Sequence, residues 1–348
     1  MDKSFVFTLK GINLFPAFLI KFVSILISIL NVKYFSEVFS NYYSGNSLLY
    51  FILLLILTLL LDSFFIFLVT DSFLKNIFIN GRSMKFIGNI FILIIINIIM
   101  IIPYILSLFS FKILEAIFYI HIHQSQVWFV NVIYYFFFLV VMAFIVSLFL
   151  FLFFKFFFFQ IDINGKKLSF SGNFIELFKI FLFKFIIPTS VIHLINNFLF
   201  SYIFVKLDIA NTIFEYIMLI IFFIVIIGFF LNTVGCIVGW AINCHYDNNS
   251  IFLKSESSVH HVILKELYLT FITLFIYLPF ALVNLYKVII MNFMKSSKDE
   301  SLIFEYNQTR GYSFVAKELF LSLITIGLYF PWAICKIVRS FLNDTRIK

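Results

Sequence analysis

The chain has 348 residues, 63% of them hydrophobic and only 12% charged, with a formal net charge of +8. An ordinary soluble domain carries about 25% charged residues, so composition excludes that class, and a mean hydropathy of +1.09 points to a membrane. On a soluble protein the positive balance would suit nucleic acid, but here the cations flank apolar runs, as the positive-inside rule requires, and no nucleic-acid partner is expected.

A first span is expected over about residues 11–30, interrupted by Pro16 and Lys21. Lys3 and Lys10 precede it and no small-residue cleavage site follows, so it reads as an uncleaved helix with a cytoplasmic N-terminus. A Leu-rich run over about 47–70 is the second span and holds Asp62. An isolated charge at the bilayer centre costs at least about 2.5–3.5 kcal/mol, which makes Asp62 a functional candidate. A partner such as Lys21 on the first span would make it structural instead.

Residues 79–89, INGRSMKFIGN, resemble residues 163–173, INGKKLSFSGN, at 6 of 11 positions. Asn-Gly is a hairpin turn signal, so each copy is expected to form a small cytoplasmic β-hairpin before a membrane helix. The repeat extends over 79–104 and 163–188, with Pro103 and Pro188 near the far ends. Spans three and four are expected over about 88–110 and 127–154, joined by a loop with His121 and His123. Region five, about 173–205, contains Glu176, Lys179, Lys184 and His193, and is expected to lie partly in the interface with a bend at Pro188. The sixth span, about 213–241, carries Gly235-x-x-x-Gly239, a pattern for close helix approach.

A second repeat closes the chain. Residues 265–281, KELYLTFITLFIYLPFA, and 317–333, KELFLSLITIGLYFPWA, share 9 of 17 positions at an offset of 52. Shared Leu and Ile mean little in so apolar a chain, but shared Lys-Glu-Leu and Tyr-x-Pro do not arise from composition. Taken as spans seven and eight, they complete an all-α polytopic membrane domain over 1–348 with internal repeats, about eight transmembrane helices and both termini cytoplasmic. Counted in short loops, thirteen Lys and Arg then lie inside against six outside. One tension remains: Lys295, Lys298 and Arg310 make a poor outside loop. They would move inside if each proline instead broke a re-entrant unit.

Each copy places polar groups at i, i+4, i+7 and i+11: Glu266, Thr270, Thr273 and Tyr277, then Glu318, Ser322, Thr325 and Tyr329. On a continuous helix all four share one face. The pattern suits either a polar path for a small solute or ion between paired repeats, or interhelical hydrogen bonding in a scaffold. No His-Glu-x-x-His, Gly-x-Ser-x-Gly or phosphate-binding Gly-Lys-Ser/Thr signature occurs, so no enzymatic activity is expected. His121, His123 and the His260-His261 pair lack further ligands at fixed spacing, and Cys236, Cys244 and Cys335 form no framework. No metal or cofactor is expected. The 55 Phe residues read as lipid contact and packing, and membrane lipids are the expected partners, with Lys155, Lys336, Arg339 and Arg346 as basic anchors.

The motif of residues 320–333, FLSLITIGLYFPWA, followed by Lys336 and Arg339, resembles the signature of the YjgN family of bacterial multi-pass inner-membrane proteins. Residues 164–170, Asn-Gly-Lys-Lys-Leu-Ser-Phe, resemble the strand element of that family, and residues 80–86 do so more loosely. The stretch from Lys265 departs at Phe275 and Phe280, where the family has Gly and Trp. The resemblance implies a bacterial inner-membrane location and brings no substrate, reaction or catalytic residue.

Overall fold

The computed structural model describes residues 5–39, 45–79, 82–99, 127–163, 166–167, 170–198, 212–243, 252–253, 258–295, 302–304 and 308–347. Among these, five helices are long and apolar enough to cross a membrane. They lie within α1 (Gly11–Phe39), α2 (Gly45–Lys75), α4 (Val127–Phe159), the run from α5 (Phe174–Phe181) into α6 (Ile187–Phe198), and α7 (Thr212–Asn243). The third expected span is described only as the ten residues of α3 (Ile90–Ile99). Large apolar side chains stand exposed along these helices, Ile29, Leu53, Phe137 and Phe223 among them. That is the surface a lipid-facing helix presents.

Short antiparallel strands tie the helix ends together in the order β1 (Phe5–Phe7), β2 (Ile77–Ile79), β3 (Arg82–Phe86), β4 (Ile161–Ile163) and β5 (Lys166–Lys167). Phe5 pairs with Ile79, Phe78 with Ser83, Lys85 with Asp162, and Ile163 with Lys166. The strand pairs before α3 and α5 are thus those expected from the Asn-Gly segments, although the turn residues themselves lie outside the described residues. Both segments make the same contacts. Asn89 Oδ1 accepts from Phe91 N and Asn173 Oδ1 from Ile175 N, each at 2.9 Å, capping the helix that follows. Phe86 and Phe170 are both buried, packed on Phe156 and on Trp240 respectively.

Region five differs from expectation. Where a bend at Pro188 is expected, the chain forms one run through a π-helical turn, Leu182–Ile186. The turn precedes Pro188, whose ring nitrogen has no proton to give the preceding turn. The Thr189 hydroxyl reaches back to Phe185 O at 2.6 Å and Ile186 O at 3.1 Å, sharing its one proton between the two carbonyls.

The two Lys-Glu-Leu segments also differ, and more consequentially. Neither is one continuous helix. Each is broken into a hairpin: α8 (Ser258–Ile272) with α9 (Leu278–Asn292), and α10 (Gln308–Ile324) with α11 (Phe330–Asn343). Strands clasp the open ends. β6 (Phe252–Leu253) pairs with β7 (Phe293–Lys295), and β8 (Leu302–Phe304) with β9 (Thr345–Ile347). The four helices have 15, 15, 17 and 14 residues, so each rises about 21–26 Å, short of the roughly 30 Å hydrocarbon core.

The helices close into a ring. Among the described residues each helix packs on the next from α1 to α5 and from α6 to α11, the π-helical turn joins α5 to α6, and α11 returns to α1. At that closure a Cβ on Gly11 would stand 2.6 Å from the Trp332 Cα, so only glycine fits there. Arg339 on α11 donates to the carbonyls of Phe7 and Leu9 beside β1, at 3.3 and 2.8 Å, which fixes the second hairpin's base at the sheet. Its tip lies beside Phe22 and Ile25, half-way along α1.

Candidate functional site

A chain reversal leaves the backbone polar groups at both helix ends without their helical partners. Here each N–H from the break onward has an internal acceptor. Phe275 N donates to Thr270 O at 2.8 Å, and Gly327 N to Ser322 O at 2.7 Å. Tyr277 N donates to the Thr273 hydroxyl and Tyr329 N to the Thr325 hydroxyl, both at 3.0 Å. Pro279 and Pro331 follow, with no N–H to satisfy. Left-handed residues turn the chain at matching places, Leu274 and Phe275 (φ 50 and 68) against Ile326 and Gly327 (φ 51 and 85). The tips are apolar and bare: Leu274 is 80% exposed and Ile326 91%.

The break changes the meaning of the polar stripe. After the reversal the tyrosine comes back on the second helix and faces its own glutamate. Tyr329 donates to Glu318 Oε2 at 2.7 Å, and Lys336 Nζ lies 3.3 Å from Glu318 Oε1 and against the Tyr329 hydroxyl. Glu318 is 3% exposed, so this is a carboxylate taken from water and held by one cation and one phenol. The remaining hydroxyls are committed to their own backbone: Thr270 to Glu266 O, Thr273 to Leu269 O, Ser322 to Glu318 O and Thr325 to Leu321 O. The structure therefore brings each set of four together inside one hairpin, not along one face of a crossing helix.

The first hairpin carries the same glutamate and tyrosine but a different partner. Asn284 stands 18 residues after Glu266, as Lys336 does after Glu318. Its amide donates to Glu266 Oε1 at 3.2 Å and to the Tyr277 hydroxyl at 3.4 Å, while Tyr312 from α10 donates to Asn284 Oδ1 at 3.1 Å. Glu266 is 3% exposed and its Oε2 has no hydrogen-bond partner among the described residues. Extending the 17-residue alignment three residues past Ala281 and Ala333 would have exposed this Asn-for-Lys difference. Lys336 was expected only as an anchor.

Asp62 lies elsewhere, on α2, where Lys21 Nζ donates to it at 2.9 Å and Ser24 also donates. The structure thus pairs Asp62 with Lys21, the partner that the sequence offers on the first span. Lys21 also lines an apolar cavity of about 400 Å³ between α1 and the tip of the second hairpin. A larger groove of about 1020 Å³ runs between the two hairpins, walled by Leu274, Ile276, Pro279, Phe320, Leu323 and Ile326. His121, His123 and Cys244 fall outside the described residues. Among the described residues no three His, Cys, Asp or Glu side chains gather as metal ligands would. Known proteins add no further assignment: no family model, curated protein or solved structure matches the chain.

Proposed function

We propose that the chain is a multi-pass protein of the bacterial inner membrane, of the YjgN kind, that works as a non-catalytic scaffold. Its working part is the pair of hairpins, internal repeats that enter from the cytoplasmic side, turn in mid-membrane and return. One observation carries the reading: the polar stripe is spent on capping and bracing each hairpin, while the tips offer bare apolar surface to lipid chains or partner helices. The charge pattern supports the orientation. With hairpins in place of crossings, Lys295, Lys298 and Arg310 join the basic side, and the division becomes sixteen against three.

Thiol labelling in a background free of Cys236, Cys244 and Cys335 tests it. Lys295→Cys and Lys85→Cys should react with an impermeant reagent from the same, cytoplasmic, side. Ile326→Cys should react from neither side, and a fluorophore on it should be quenched by lipids carrying a nitroxide deep in the acyl chain. Labelling of Lys295→Cys from the opposite side would restore two crossing helices and end this reading. Transport or permeation of a small solute or ion is the second reading. It is favoured by one observation, the unpartnered oxygen of Glu266 inside the first hairpin.

A further inference from the structure

The groove between the two hairpins lies along their tip halves and holds about 1020 Å³. Its walls are apolar: Leu274 and Ile276 come from the first tip, and Phe320, Leu323 and Ile326 from the second hairpin. One lining residue is charged. Lys317 is exposed, and among the described residues it has no hydrogen bond or ion pair. No acid lines the groove, and the neighbouring Glu318 is turned into its own hairpin, held by Tyr329 and Lys336. Lys265 has the same place in the first repeat but does not line the groove, so there is a single cationic seat.

The distance of that lysine from the tip points to the occupant. Seven residues, about 10 Å of helix, separate Lys317 from Ile324 at the end of α10, and the turn lies beyond. With the tip in mid-membrane, half of a roughly 30 Å core puts Lys317 where hydrocarbon meets head groups. A cation at that depth, with an apolar wall leading from it to the midplane, matches one lipid of one leaflet. A partner helix laid there would cover the ammonium without a counter-charge, whereas a phosphate supplies one. A zwitterionic head would bring a second ammonium and find no acid in the groove to meet it. We infer that the groove binds one anionic phospholipid of the cytoplasmic leaflet, with its phosphate on Lys317 Nζ and an acyl chain along Phe320, Leu323 and Ile276. The inference rests on the proposed mid-membrane hairpins and deepens the scaffold reading, since the lipid becomes the filling between the two tips.

The test is photolabelling of the full chain in phosphatidylcholine nanodiscs. The probe is a trace of phosphatidylglycerol or phosphatidylcholine with the same diazirine-bearing acyl chain, and the adducts are mapped on peptides. The phosphatidylglycerol probe should label Phe320, Leu323 or Ile276 saturably, in competition with unlabelled phosphatidylglycerol, and the phosphatidylcholine probe should not. Lys317→Gln should lower that labelling about fivefold, and Lys317→Arg should restore it. Leu274→Trp with Leu323→Trp, which narrows the groove from both walls and leaves the cation, should lower it too. Labelling of the exposed Phe223 on α7 should stay the same in every variant. Equal groove labelling by both probes, or labelling that survives Lys317→Gln, would reduce the groove to ordinary lipid contact and overturn the proposal. A groove without adducts while Phe223 is labelled would mean that a second copy or a partner helix covers it, and would overturn the proposal as well. The sidedness of Lys295→Cys in proteoliposomes separates the two readings. Reaction from the side opposite to Lys85→Cys ends the hairpin reading itself, whereas reaction from the same side with no groove labelling strikes the lipid alone.

Discussion

Thr273 and Thr325 show how one hydroxyl can fix a chain reversal. Each accepts from the N–H of the tyrosine four residues on and donates to a carbonyl of its own helix. Thr325→Val keeps the shape and removes both bonds, leaving the Tyr329 N–H without its acceptor. We expect it to cost about 1–2 kcal/mol, read as a lower midpoint in thermal unfolding, whereas Thr325→Ser should be close to neutral. The turn also carries a difference between hairpins that can be measured. Phe275 holds a left-handed φ of 68 where the second hairpin has Gly327. A left-handed side-chain-bearing residue costs roughly 1–2 kcal/mol, so Phe275→Gly should raise the unfolding midpoint by the equivalent of up to about 1 kcal/mol. A drop would mean that the exposed Phe275 ring contributes more through lipid contact than the strain removes.

At the scale of elements, the long helices were legible because apolar runs of 20 or more residues leave few alternatives in composition alone. The strand pairs before α3 and α5 were legible from two Asn-Gly segments of matching pattern. The hairpins were legible only as a tension, in the excess of Lys and Arg between the two Lys-Glu-Leu segments. Hydropathy cannot separate a helix that crosses from two half-helices that turn back, since both are equally apolar. The polar spacing misled for the same reason: i, i+4, i+7 and i+11 lie on one face only if the helix is continuous, and the left-handed residues after Thr273 and Thr325 end it. Asn284 and Tyr312 were invisible because their role depends on packing between α9 and α10. A further element-scale expectation concerns the caps. Asn89→Ala and Asn173→Ala should each cost about 1 kcal/mol and speed hydrogen exchange in the first turns of α3 and α5 without disturbing the other helix.

At the scale of the molecule, closure rests on a small contact. Gly11 lets α1 approach α11 until Trp332 lies on the glycine itself, with Phe15 and Trp332 ring centroids 5.5 Å apart. Gly11→Leu has no room for its side chain unless the two helices separate. Limited proteolysis should then cut the base of the second hairpin faster than in wild type, while the α2–α7 packing stays protected. Equal protection in both proteins would place closure in the Arg339 contacts instead.

Arg339 meeting the carbonyls of Phe7 and Leu9 joins the beginning of the chain to its end. During synthesis Phe7 and Leu9 therefore wait 332 and 330 residues before Arg339 emerges. On the proposed topology neither half of a hairpin is long enough to enter lipid as an independent segment, so the hairpins pack last, against α7 and α1. Assembly is then ordered, with the C-terminal hairpins as its keystone. A chain ending at Asn243 should insert its upstream helices yet leave β1 open to protease, and restoring residues 244–348 as a separate polypeptide should protect it again.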